Sequence, residues 1–153
     1  MKKSILLFCA TIILLVVNIL YGLSTLPPDK EGGGIVNGNI IKIGEAMFNL
    51  EVADTDEERI RGLSGRESLP YNSVLLFEFE KEGKYGIWMK DMNFPIDIVW
   101  LDKDKKIIHK EEKVSPQTFP KSFYPTTNSL YVIELNSGIL EDKKIKIGDF
   151  AEF

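Results

Sequence analysis

The sequence predicts a mainly β domain, an antiparallel sandwich or barrel with one or two short helices, behind an N-terminal transmembrane or signal segment. Three observations predict it. Past residue 40 the dominant hydrophobic period is two, the period of a strand. About eight short runs rich in β-branched and aromatic residues recur, separated by Gly, Pro or charged clusters. One long uncharged aliphatic stretch precedes them all.

That stretch comes first along the chain. Residues 4–28 carry no charge and follow Lys2 and Lys3. As a helix, residues 5–23 rise about 28 Å, close to the roughly 30 Å hydrocarbon core of a bilayer. The run exceeds the roughly 7–15 residues of a signal-peptide core, which favours an uncleaved anchor with its basic end in the cytoplasm. Gly22 and Ser24 nevertheless offer a small-x-small cleavage site, so residues 1–25 are a signal anchor or a signal peptide. Either reading makes the remainder extracytoplasmic: single-pass in the cell membrane through residues 5–23, or secreted after cleavage. Residues 26–39 hold Pro27-Pro28 and then Gly32-Gly33-Gly34, a stiff and then a loose tether. The domain is expected over residues 40–153.

Charge and composition narrow the function. Setting Lys2 and Lys3 aside leaves 17 of the 19 basic residues against 23 acids, a net charge of −6 beyond the apolar segment. That balance argues against nucleic acid and anionic headgroups as partners. Cys9 and His109 are the only Cys and His, which excludes a Cys/His zinc site, a c-type haem attachment and a disulfide framework. No P-loop, dinucleotide fingerprint or calcium loop occurs, and no cofactor is expected.

Within the domain, Phe48, Leu50 and Val52 alternate with Asn49 and Glu51 as a half-buried strand. A helix follows, capped by Asp54 or Thr55, with Glu57 and Glu58 in its first turn and Gly62 at its end. Strands are then predicted at residues 74–79, 85–89, 96–101, 106–111, 130–135, 145–147 and 150–153. Residues 102–105 form a hairpin turn, and a second short helix is expected within 137–142. The long loop 114–128 carries Pro116, Pro120, Pro125, Phe119, Phe123 and Tyr124, a composition suited to a binding lid or a cover. Phe94-Pro95 makes a rigid connection, either a cis bond or an ordinary strand-entry proline.

Two predicted strands look buried on both faces while carrying one acid each. Asp97 shares a face with Val99 and Leu101, and Glu134 shares one with Leu130 and Val132. A carboxylate among aliphatics needs a partner or becomes neutral. Arg59, Arg61, Arg66 and Lys90 are the nameable partners, with Trp88 and Lys90 on one strand face. The candidate ligand-binding set is therefore Arg61, Arg66, Trp88, Lys90, Asp97 and Glu134. A buried ion pair tying helix to sheet is the competing reading.

The strings at residues 58–69, 75–79, 88–98, 131–138 and 147–149 resemble the family called domain of unknown function 192. Arg61, Gly62, Leu63, Arg66, Trp88, Met89, Lys90, Pro95, Asp97, Glu134 and Gly138 match its motifs. Ser64 and Asp91 depart, where relatives often carry Met and Asn. The resemblance implies a β-rich fold of jelly-roll type, often behind a signal or anchor, and no established activity. Taken together, the expected function is a membrane-tethered extracytoplasmic domain binding a small molecule or a partner chain. Two alternatives stay open: a hydrolase-like enzyme using Asp97 or Glu134 as acid or base, including a glycosidase-like pair of the two, or a structural or assembly module.

Overall fold

A computed structural model describes residues 39–153. The expected membrane segment, residues 1–25, and all but the last residue of the expected linker 26–39 lie outside the described residues. In chain order the elements are β1 Ile40–Ile43, β2 Ala46–Ala53, α1 Asp56–Arg61, β3 Ser73–Gly83, β4 Ile87–Trp88, β5 Ile96–Leu101 and β6 Ile107–Val114. A 3-10 turn Pro116–Thr118 follows, then β7 Ser122–Phe123, β8 Ser129–Asn136, α2 Ile139–Asp142 and β9 Ala151–Glu152. The domain is mainly β, with two short helices.

Seven strands make one sheet in the order β6-β5-β8-β3-β2-β1-β9, and β4 pairs with β7 as a separate ribbon. The sheet curls into a half-barrel. Its edge strands touch at one corner, where Lys106 bridges Phe150 and Ile107 N donates to Asp149 O at 2.8 Å. Two features correct the expected antiparallel sandwich or barrel. One curled sheet takes the place of two stacked ones, and β2 pairs with β3 in parallel from Asn49–Ser73 to Ala53–Phe77. Parallel neighbours need a crossover of about a dozen residues or more. Residues 54–72, containing α1, supply it and lay α1 across one face of the sheet.

The sheet separates two cores. One contains Ile41, Ile43, Val74, Leu76, Val99, Leu101, Ile133 and Leu135, contributed from across the sheet, with α2 against it. The other contains Leu75, Phe77, Ile96, Ile98, Trp100 and Val132, covered by Leu63, Leu69, Met89 and the β4–β7 ribbon. This double cover is why all six residues of β5 are buried. The Trp100 indole N–H is satisfied there, donating to Tyr85 O at 2.8 Å.

One smaller expectation is corrected and another is decided. Residues 145–147 form no strand, because Lys144 turns the chain at φ 57 and Ile145 N bonds back to Leu140 O. The cis X-Pro bond falls at Phe119–Pro120, and Phe94–Pro95 takes the second of its two readings, an ordinary proline before β5.

Candidate functional site

The six candidate residues separate into two places. Asp97 belongs to neither a groove nor a cavity wall. It is 0% exposed, and both carboxylate oxygens accept backbone N–H groups: Oδ1 from Lys113 at 2.8 Å, Oδ2 from Leu140 at 3.0 Å. The first bond braces an irregularity in the β5–β6 pairing, where the register shifts after Ile96–Val114 and Lys113 adopts φ 54. The second reaches the first turn of α2, whose N-cap Gly138 has no side chain to offer. Asp97 thus caps a helix and pins a bulge, with no Arg or Lys side chain in the role expected of a partner.

Glu134 faces the other way. Its register partner on β5 is Ile98, not Asp97, and side chains alternate across a strand. Asp97 therefore points into the core with Val99 and Leu101, and Glu134 into the core with Ile98 and Val132. This corrects the glycosidase-like pairing of the two acids alone: the carboxylates sit on opposite faces of the sheet and do not share a substrate.

Arg61, Trp88 and Glu134 do come together. They line a cavity of about 50 Å³ with Gly62, Phe77 and Met92. Glu134 is 4% exposed, and its Oε2 is buried without a hydrogen-bond partner. Burial raises its pKa to about 8, opposed only by the attraction of the Arg66 guanidinium. Arg66 itself bonds Glu51 Oε2 at 2.8 Å, so it stands near the acid without closing it off.

The local sequence explains how the cavity is roofed. Thr55 and Glu58 form a reciprocal capping box that starts α1. Arg59 anchors the helix to the sheet by donating to Glu78 O on β3 at 2.7 Å, while a second bond to Asp56 Oδ1 at 2.6 Å stays within the helix. The helix ends at Gly62 with φ 50 and ψ −130, a conformation that favours glycine. A Cβ there would stand 3.3 Å from Phe77 Cζ and 3.7 Å from Glu134 Oε2. Gly62→Ala is expected to lower stability by about 1–3 kcal/mol through backbone strain and crowding. Thermal unfolding followed by circular dichroism checks it, and an unchanged midpoint would show that the roof yields freely.

Outside the cavity lies a groove of about 330 Å³ that shares Arg59, Ile60, Phe77, Gly86, Ile87 and Trp88 with it. Phe79 and Tyr85, stacked at 3.5 Å, line it as well. Trp88 is 45% exposed at the junction of groove and cavity, edge-on to Phe119 at 6.3 Å and 67°, with Lys90 Nζ 5.8 Å from its ring. Phe119 comes from the long loop 114–128, which β7 holds against β4 through Ile87–Phe123 and Trp88–Ser122. Ile60, Phe77 and Met92 are lining residues that nothing in their residue type marks in the sequence. Among the described residues, no three His, Cys, Asp or Glu side chains are grouped to hold a metal ion. Nor is any described helix long and apolar enough to cross a membrane.

A protein of unknown function from Novosphingobium aromaticivorans DSM 12444 superposes with a TM-score of 0.71 at 22% identity, over 79% of this chain and 90% of that one. A proposed transcription regulator from Sinorhizobium meliloti 1021 also gives 0.71, at 24% identity, over 78% and 97%. At these identities the likeness is one of fold. No curated protein matches the sequence. The DUF192 model, described as Uncharacterized ACR, matches residues 39–153, which covers the whole described domain, and the chain belongs to that family.

Proposed function

We propose that this protein is a membrane-tethered extracytoplasmic domain that binds a small molecule in the groove beside Trp88, with Glu134 at its floor. The observation carrying the reading is Oε2 of Glu134, buried and unpartnered at the bottom of a cavity that opens beside an exposed indole. A buried polar atom left without a partner costs about 1–3 kcal/mol. Native chains rarely keep one, and a ligand group that bonds it restores the loss on binding. The small enclosed floor suits a small molecule better than a flat protein partner. The tether rests on the uncharged residues 5–23 after Lys2 and Lys3.

A thermal-shift screen of the full chain against sugars, organic acids and short peptides tests the groove. At least one class is expected to raise the melting temperature, as any ligand of the native state does. Trp88→Ala should abolish that rise while changing the unliganded midpoint little, because the ring is half out of the protein. If no class stabilises the wild type, or if Trp88→Ala responds as the wild type does, the reading fails. The chain should fractionate with membranes, and protease added to intact cells should digest the domain; release into the soluble fraction would overturn the tether, and protection from the protease would overturn the extracytoplasmic placement.

A further inference from the structure

Resting on the binding reading above, we propose that the groove takes an anionic saccharide. One ring hydroxyl enters the cavity at Glu134, and a carboxylate or phosphate on the ring meets Arg61 and Lys90.

The cavity selects the group at the floor. About 50 Å³ holds one or two groups the size of water. A hydroxyl both donates and accepts, so it bonds Glu134 Oε2 whether the carboxyl is protonated or ionised. A carbonyl oxygen bonds only the protonated form. An ammonium can only donate, and it is repelled by Arg61 on the cavity wall and Arg66 beside the acid.

The rim selects charge. Of the candidate cations Arg59, Arg61, Arg66 and Lys90, two are already engaged: Arg59 with Asp56, and Arg66 with Glu51. Arg61 and Lys90 are exposed and form no ion pair among the described residues. They flank Trp88, Arg61 through the shared cavity and Lys90 over the ring. A guanidinium and an ammonium left free beside a pocket are suited to one anionic substituent.

The walls select a ring. Trp88, Phe79 and Tyr85 line the groove, and Phe119 braces Trp88 edge-on at 67° from outside that lining. The C–H face of a saccharide is weakly positive and lies favourably against a π face, whose quadrupole is negative. The groove volume of about 330 Å³ is at the small end of ligand sites and accommodates a saccharide of modest size.

Four probes test this on the full chain in detergent: glucuronate, glucose 6-phosphate, glucose and cyclohexanecarboxylate. Calorimetry gives affinity, and the part of the fluorescence change that Trp88→Phe removes reports Trp88, since the buried Trp100 also emits. At least one anionic sugar is expected to bind at least about tenfold more tightly than both glucose and cyclohexanecarboxylate, a difference of about 1.4 kcal/mol. Which of the two does so separates carboxylate from phosphate. Arg61→Ala with Lys90→Ala should bring that sugar down to the affinity of glucose. Glu134→Leu should remove its advantage over cyclohexanecarboxylate. Should that variant not fold, Glu134→Asp, which withdraws the carboxyl by one methylene, reads the same contact. Glucose binding as tightly as the anionic sugars would overturn the charge selection, and cyclohexanecarboxylate binding as tightly would overturn the hydroxyl contact. In either case the groove reading survives. If none of the four binds, the proposal fails, and the broader screen with Trp88→Ala decides whether the groove reading fails with it.

Discussion

Glu134→Gln is expected to flatten the pH dependence of stability and to make the domain more stable than the wild type in alkaline solution. In the folded chain the Glu134 carboxyl has its pKa raised by burial from 4.5 to about 8. Between those values the native state holds a proton that the unfolded chain has released, so stability falls as pH rises. The contribution is complete below about pH 4.5 and gone above about pH 8. At 1.36 kcal/mol per pH unit the whole span is worth about 5 kcal/mol. Glutamine keeps the shape and cannot ionise, so the variant should track the wild type near pH 4 and separate from it progressively toward pH 8.5. Urea unfolding at several pH values measures the gap. Parallel curves would mean that Glu134 ionises in the fold at no cost, which requires a partner for Oε2. A bound hydroxyl would reduce the same pH dependence in the wild type, which links this measurement to the ligand.

The second large effect is expected at the other acid. Asp97→Ala strands two buried donors, Lys113 N and Leu140 N. At about 1–3 kcal/mol for each unsatisfied group, the loss is about 4 kcal/mol. With about 4 °C per kcal/mol for a domain of this size, the melting temperature should fall by about 15 °C. Asp97→Asn keeps one acceptor and presents an amide to the second donor, so its loss should be about half as large. Any ligand found for the groove should bind the folded Asp97→Asn protein with unchanged affinity, because Asp97 lies on the opposite face of the sheet. A ligand shift abolished in Asp97→Asn with the midpoint preserved would contradict this assignment and return Asp97 to the binding set.

Much of the architecture was legible locally. The β5 strand was readable at residues 96–101 because it is apolar on both sides of Asp97. The helix at residues 56–61 was readable from Thr55, Glu58 and Gly62, whose caps use only neighbours in sequence. Strand β1 was missed because its four residues, Ile-Ile-Lys-Ile, are too short for a period to show. The parallel β2–β3 pair was missed because alternation predicts a half-buried strand without saying which neighbour it meets or in which direction. Residues 145–147 looked like a strand by composition, yet their amides serve turns.

The candidate site divides along the same line. Burial of Asp97 and Glu134 follows from their aliphatic neighbours, and residue type alone singled out Trp88, Lys90 and the arginines. Register is a property of pairs of strands, and a shift of one residue moves a side chain to the other face. Only the pairing of Ile98 with Glu134 sends the two acids apart. It makes Asp97 a brace and leaves Glu134 beneath Trp88. The sequence by itself determined that this domain is mainly β and would bury two carboxyl groups, because hydrophobic period and turn chemistry act over a few residues. The tertiary structure alone decided that one is saturated by backbone N–H groups while the other has an oxygen without a partner, because that depends on strands and a helix distant in sequence arriving at the same point in space.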